Sequence, residues 1–449
     1  MKNQLSFQAL PSVANNTITT LATKLLVFGI SFATNVAIAR LLGPHGQGIY
    51  SSTILVWTFG TLIAGLGIGT ANTAFASRGK WSSSELIGNS LFFIVFSVLC
   101  SGVALFAIEV GILPGKIGEL TISQVEIAVV LVPLGVAVGA LGGLMLGFNR
   151  LKEWNIIFVL LGTVVTFIVL LGLVGGLRLG LEGAIIAWVF GQVAVMVVGC
   201  WRLLPRASIR LMMPPGLLKE SLWFGVRANM AQLVGTLNFR LDSLIVLYLL
   251  GARDVGLYAV TVLIAEWLYF IPASIANALF PRFGSAGAEE VVQLTNRALR
   301  LTLSFALAGA IALAISVPLI LGIFGEQYLS ALPTFFVLLP GVAIYGLAHI
   351  TTVYWYGYAR KPQVNLMLAG ISLIVDLLAI FVLVPHIGLQ GAGLASTIAY
   401  VSSMSISIFL YLRHSRTTMR SAFLLTRGDI NFLSSLVRRL KGHVDSYTK

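Results

Sequence analysis

Apolar residues fill this chain in runs of about 20, separated by short polar segments, from about residue 18 to about residue 412. A run of that length crosses a hydrocarbon core about 30 Å thick as an α-helix. The weak period-2 alternation of a membrane β-barrel is missing. The pattern predicts twelve helical spans, at about 18–40, 47–71, 86–110, 125–148, 154–175, 182–203, 221–250, 256–280, 299–323, 332–357, 364–385 and 389–412. Only "HIGL" separates the last two, which implies a tight helical hairpin.

Composition agrees. Of 449 residues, 57% are hydrophobic and 10% charged, with a mean hydropathy of +0.95. Soluble domains carry about 25% charged residues, so an all-α integral membrane protein is expected. A net charge of +13 would suggest nucleic acid in a soluble protein. Here the basic residues sit between apolar runs and in the last 37 residues, the pattern of cytoplasmic loops facing anionic lipid, so no nucleic-acid partner is expected. With both termini cytoplasmic, inside segments hold 22 lysines and arginines and outside segments four (Arg40, Lys116, Arg178, Arg253), which fixes the expected topology. The polar N-terminal stretch shows no cleavage site, so the first helix is expected to be retained. Cys100 and Cys200 lie inside apolar runs and suggest neither a disulfide framework nor a metal site.

The chain repeats itself. "LLGPHGQGIY" at 41–50 returns as "LLGARDVGLY" at 249–258, 208 residues on. "GLEGAIIA" at 180–187 returns as "GLQGAGLA" at 388–395 at the same offset, and "GFNRLKEWN" at 147–155 returns as "GYARKPQVN" at 357–365, offset by 210. Three matches in one order at nearly one offset mark a duplicated six-helix unit. Six is even, so the copies are parallel and a substrate path is expected in a central cleft between them. The expected domains are a six-helix lobe over 1–205, a cytoplasmic linker over 206–220, a second lobe over 221–412 and a basic tail over 413–449. In the tail, Ile430, Leu433, Leu436, Val437 and Leu440 recur at helical spacing and suggest an amphipathic surface helix.

At this point the residues carry a resemblance. "IARLLGPHGQGIY" at 38–50, "LGFNRLKEWN" at 146–155, the long block from Arg240 to Phe283 and "LVPHIGLQGAGLAS" at 383–396 resemble bacterial polysaccharide-repeat (O-antigen) flippases. These belong to the multidrug/oligosaccharidyl-lipid/polysaccharide exporter (MOP) superfamily. The likeness covers nearly the whole chain up to about residue 412. It implies translocation of undecaprenyl-pyrophosphate-linked oligosaccharides from the inner to the outer leaflet of the cytoplasmic membrane.

Ionisable residues inside a membrane are costly, about 2.5–3.5 kcal/mol each on insertion scales, and mark functional candidates. The spans contain Lys24, Arg227, Arg240, Asp242, Glu266 and Asp376. At about 100° per residue, Thr17, Thr20, Lys24, Ser31 and Asn35 fall on one face of span 1. Asn229, Gln232, Thr236, Arg240 and Ser243 fall on one face of span 7. The 208 offset maps Lys24 onto Gln232 and Asn35 onto Ser243, so the stripes are equivalent faces of equivalent helices. Lys24, Asn35, Arg40, Gln232, Arg240 and Ser243 are therefore the expected substrate-binding residues, with Lys24 and Arg240 meeting a lipid pyrophosphate and Arg40 receiving it at the outer mouth. Interhelical hydrogen bonding is the competing role for these stripes. Asp242, Glu266 and Asp376 are candidates for ion coupling or structural pairing, Asp242 with a basic or amide partner. Asp376 matches Thr166 in the first copy, so that charge is specific to the second. The aromatic cluster "YWYGY" at 354–358 reads mostly as an interfacial belt.

"GLGIG" at 65–69 sits in a span and is no dinucleotide site. The histidines have no metal spacing, no catalytic triad or nucleotide loop appears, and no cofactor is expected. A cation-coupled multidrug exporter of the same superfamily is the alternative function, although it favours acidic intramembrane residues. A glycan polymerase or ligase would need a large outer loop, and no outside segment exceeds about fifteen residues. Expected partners are the lipid-linked oligosaccharide, membrane lipids, a polysaccharide polymerase and its chain-length machinery.

Overall fold

A computed structural model describes residues 10–203, 214–283 and 286–429, with the side chains of 10–22, 24 and 215 outside the description. The described residues are helical almost throughout and contain no strand. Among the described residues, ten helical stretches are long and apolar enough to cross a bilayer. The difference from the expected twelve lies in two places. Residues 25–65 count once because two helices meet directly at Gly43, whose backbone is not helical (φ +67°, ψ −179°), with no loop between them. The Pro215–Leu249 helix is long enough, at about 52 Å, but Lys219, Glu220, Arg227, Arg240 and Asp242 make it too polar to count on composition.

Two compact units emerge. The first comprises residues 1–260 and 321–329. It contains α1 (Leu10–Gly65), α2 (Ile68–Arg78), α3 (Ser83–Glu109), α4 (Ile122–Val130), α5 (Val132–Gly147), α6 (Leu151–Trp154), α7 (Gly162–Leu170), α8 (Gly180–Leu203), α9 (Pro215–Leu249) and most of α10 (Ala252–Ala265). π-helical turns at Asn155–Leu161 and Leu171–Gly176 make one continuous span with α6 and α7.

The repeat is visible in the backbone. Gly43 (φ +67°) and Gly251 (φ +97°), 208 residues apart, break the helix in each copy with a conformation that only glycine adopts readily. Gly180 and Gly388 do the same at φ +57° and +60°. Within the first unit the duplicated junctions touch. A Cβ on Gly48 would lie 1.8 Å from the Ala252 carbonyl oxygen, and one on Gly256 would lie 1.9 Å from the Pro44 carbonyl oxygen. The second half of α1 and the start of α10 thus cross backbone to backbone. Glu119 completes this end: its Oε2 accepts the Ala252 N–H at 3.1 Å, capping α10, and lies 3.4 Å from Nδ1 of His45.

The second unit comprises residues 261–320 and 330–449. It holds α11 (Phe270–Phe283), most of α12 (Ala288–Phe324), α13 (Leu332–Tyr345), α14 (Ala348–Val353), α15 (Pro362–Ile387), α16 (Leu389–Ser415) and α17 (Met419–Phe423). α15 and α16 form the expected tight hairpin at Gly388. The belt expectation for "YWYGY" is corrected: Tyr354 and Trp355 are buried in the core, where the Tyr354 hydroxyl lies 2.7 Å from His414 Nδ1. Leu347, Ile350, Thr351, Tyr354 and Trp355 are all buried, the i, i+3, i+4, i+7, i+8 spacing of one inward helix face, and a π-helical turn spans Tyr354–Tyr358. The tail docks on α12: Arg300 Nε donates to Asp429 Oδ2 at 2.7 Å, Arg297 lies 3.4 Å from Oδ1, and Arg300 also donates to the Ser421 carbonyl. Burial would raise the Asp429 carboxyl, but hydrogen bonds from Arg300 and Thr426, with the Arg300 charge, hold it at about 2. The expected amphipathic helix beginning at Ile430 lies outside the described residues.

Candidate functional site

Two adjoining cavities open in the first unit. The smaller, about 230 Å³, is bordered by Ser31, Thr34 and Asn35 of α1, Thr163 and Thr166 of α7, and Gln192 of α8. Glycines let these helices approach closely enough for short polar side chains to meet. A Cβ on Gly191 would lie 2.1 Å from the Thr166 hydroxyl and 2.8 Å from the Gly162 carbonyl oxygen. Phe158 and Trp188 form the apolar part of the wall, and Trp188 is held edge-on by Trp57, with centroids 4.7 Å apart.

The larger cavity, about 640 Å³, lies along α2 and α5 and reaches Asn229 and Gln232 of α9. Its glycines bring backbones together, since a Cβ on Gly143 would lie 2.1 Å from the Gly69 carbonyl oxygen. α9 is fastened there by the Asn229 amide, which donates to the Leu62 carbonyl at 2.6 Å, and by Gly225 packed on Leu66. Val138 and Phe158 border both cavities, and among the described residues neither lining includes a charged side chain.

The expected site residues divide between several environments. Asn35 borders the smaller cavity and Gln232 the larger. Arg240 is half-buried and Ser243 buried, and neither borders these two cavities. Arg40 is exposed, and its Nε donates to the Ile323 carbonyl at 2.7 Å, where it satisfies a helix C-terminus. The Lys24 side chain lies outside the described residues. Asp242 is buried. Its Oδ2 accepts from the Tyr258 hydroxyl at 2.6 Å and its Oδ1 from the Ser243 N–H at 2.7 Å. Arg227 stacks on Trp223, 3.5 Å from the ring centroid. In the second unit, Glu266 begins the short 3₁₀ turn Glu266–Tyr269, and Asp376 is buried in α15 near Ser372. Thr163, Thr166 and Gln192 were missed as binding candidates. The one available signal was that Thr166 occupies the position matching Asp376 at offset 210.

A family model described as "Polysaccharide biosynthesis protein" matches residues 13–286, more than half of the chain. The chain belongs to this polysaccharide biosynthesis family. Searching curated proteins with the sequence finds no match. Among solved structures, this family member is similar to an inward-facing multidrug resistance MATE transporter of the MOP superfamily, with a TM-score of 0.70 at 14% identity over 89% of this chain and 98% of that one. It is equally similar in fold to the lipid II flippase MurJ in an inward closed conformation, with a TM-score of 0.69 at 14% identity over 90% and 89% of the two chains. A MOP superfamily transporter from Pyrococcus furiosus gives 0.60 at 16% identity over 89% and 94%. At these identities the shared property is the fold. The family member is a multi-pass membrane protein with the fold of these transporters.

Proposed function

We propose that this protein is a flippase that moves undecaprenyl-pyrophosphate-linked oligosaccharide repeat units from the inner to the outer leaflet of the cytoplasmic membrane. It works by alternating access between the lobes 1–205 and 221–412, with both termini cytoplasmic, and it serves cell-surface polysaccharide synthesis. The observation that carries this reading is a pair of adjoining cavities, polar yet without an acidic residue among the described residues, in a member of a polysaccharide biosynthesis family. A cation exporter needs carboxylates where its cargo rests, because a buried cation without a counter-charge is strongly disfavoured.

The pyrophosphate must leave water, and Lys24 and Arg240 supply charge-assisted hydrogen bonds along the path. The sugars take the uncharged cavities. The polyprenyl tail stays in the bilayer, since removing it would cost about 0.8 kcal/mol per CH₂. Translocation of lipid-linked oligosaccharide by the purified protein in reconstituted vesicles tests this. Lys24→Ala and Arg240→Ala are expected to abolish it with the protein still folded. Wild-type rates in both variants would sink the basic path, and selective ethidium export by the wild type would favour the multidrug reading.

A further inference from the structure

We propose that the smaller cavity of the first unit is a subsite for one uncharged sugar ring of the cargo, separate from the region that holds the pyrophosphate. The proposal rests on the flippase reading and adds to it a division of labour.

Hydrogen-bond accounting carries it. Thr34 Oγ1 donates to the Ile30 carbonyl at 2.8 Å, Asn35 Nδ2 to the Ser31 carbonyl at 2.8 Å, and Thr163 Oγ1 to the Val159 carbonyl at 2.9 Å. Each thereby spends a proton within its own helix. Thr34 and Thr163 then offer the cavity only acceptor lone pairs, while Asn35 keeps its carbonyl oxygen and its second N–H. A phosphate at pH 7 is only an acceptor and would leave the lone pairs of Thr34, Thr163 and the Asn35 carbonyl without a donor. A sugar hydroxyl both donates and accepts, so it fits these groups together with the Ser31 and Thr166 hydroxyls and the Gln192 amide. The rings of Phe158 and Trp188 supply apolar faces for the C–H side of a pyranose.

Charge and size narrow the choice. Among the described residues no charged side chain borders the cavity, which favours an uncharged guest there. Its volume of about 230 Å³ falls below the roughly 300–1,000 Å³ of pockets for drug-sized ligands. One ring fits and a whole repeat unit does not. The rest of the glycan has the 640 Å³ cavity, across Val138 and Phe158.

The test uses full-length protein and two probes: undecaprenyl-pyrophosphate-linked oligosaccharide extracted from the cells that make the protein, and sugar-free undecaprenyl pyrophosphate. The readout is the ratio of the two affinities. Thr166→Val with Gln192→Met is expected to lower the preference for the glycosylated lipid about tenfold, which is about 1.4 kcal/mol and within reach of two net hydrogen bonds. Thr166→Val alone preserves shape and is expected to lower it severalfold, which serves if the double variant does not fold. An unchanged ratio in folded variants overturns the subsite, as does an equal loss for both probes. Ethidium binding that these substitutions abolish would mark a cation site and also overturn it. If the wild type transports the glycosylated lipid while the ratio is unmoved, the flippase reading survives and only the subsite falls. If the wild type neither binds nor moves that lipid, the flippase reading fails first.

Discussion

The hydroxyl of Tyr258 donates a 2.6 Å hydrogen bond to Oδ2 of Asp242, joining α10 to α9 through a buried carboxylate. The 208 offset maps this pair onto Tyr50 and Thr34 in the first copy, where the acid is replaced by a neutral hydroxyl. Hydrogen bonds to charged groups contribute about 1.5–3 kcal/mol. Tyr258→Phe is expected to lower unfolding stability by that order. A double-mutant cycle with Asp242→Asn should give a coupling above about 1 kcal/mol. Additive losses would show the contact to be incidental.

The crossing of Gly48 with Gly256 leaves no room for a methyl group, since either Cβ would overlap a carbonyl oxygen of the other segment. Overpacking costs about 1–3 kcal/mol, and Gly48→Ala and Gly256→Ala should each lower the thermal midpoint accordingly. Gly235→Ala is the control. It sits within α9 with nothing within 4 Å of the added Cβ, and alanine there should be neutral or stabilise by up to about 1 kcal/mol.

Docking of the tail should depend on pH with a definite sign. Asp429 has a folded-state value near 2 against an ordinary 3.8. A depressed carboxylate stabilises the docked form fully above its ordinary value and loses that contribution as pH falls through the folded one. The protection factor against hydrogen exchange over residues 417–429 should be high above pH 4 and fall toward pH 2. Asp429→Asn should show the low protection already at neutral pH. Identical profiles for the two proteins would remove Asp429 from the latch.

Arg40 has one proton committed to the Ile323 carbonyl. Arg40→Ala is expected to cost only about 0.3–1 kcal/mol of stability, the usual contribution of a cation at a helix C-terminus. A parallel translocation assay decides whether it also receives the head group: a rate loss larger than the stability change would assign that role.

Much of this architecture is legible in the sequence because membrane solvation leaves few options. Apolar runs can only be helices, and the paired junctions around Gly43 and Gly251 show where each copy bends. The span count is less legible because two helices can join at one non-helical glycine without a loop, and because α9 carries charged and polar residues along much of its length. Asn35 and Gln232 were accessible from helical phase alone. Thr163, Thr166 and Gln192 were not, because isolated hydroxyls and amides in a span look like ordinary interhelical bonding until the opposing glycines are seen to open a space beside them. Tyr354 and Trp355 misled because a run of aromatics at the end of a span was read by its composition, although with Leu347, Ile350 and Thr351 they continue one buried helix face.

The contact between Gly48 and Gly256 bears on how a duplicated protein can change over time. After duplication each copy is ordinarily free to drift, since the other preserves the original design. At this crossing the space a side chain would need on one copy is already filled by the backbone of the other. A mutation in either copy is therefore felt by both, and the two halves of the gene must keep this point in common however far the lips beside it, Pro44–His45 and Ala252–Arg253, diverge.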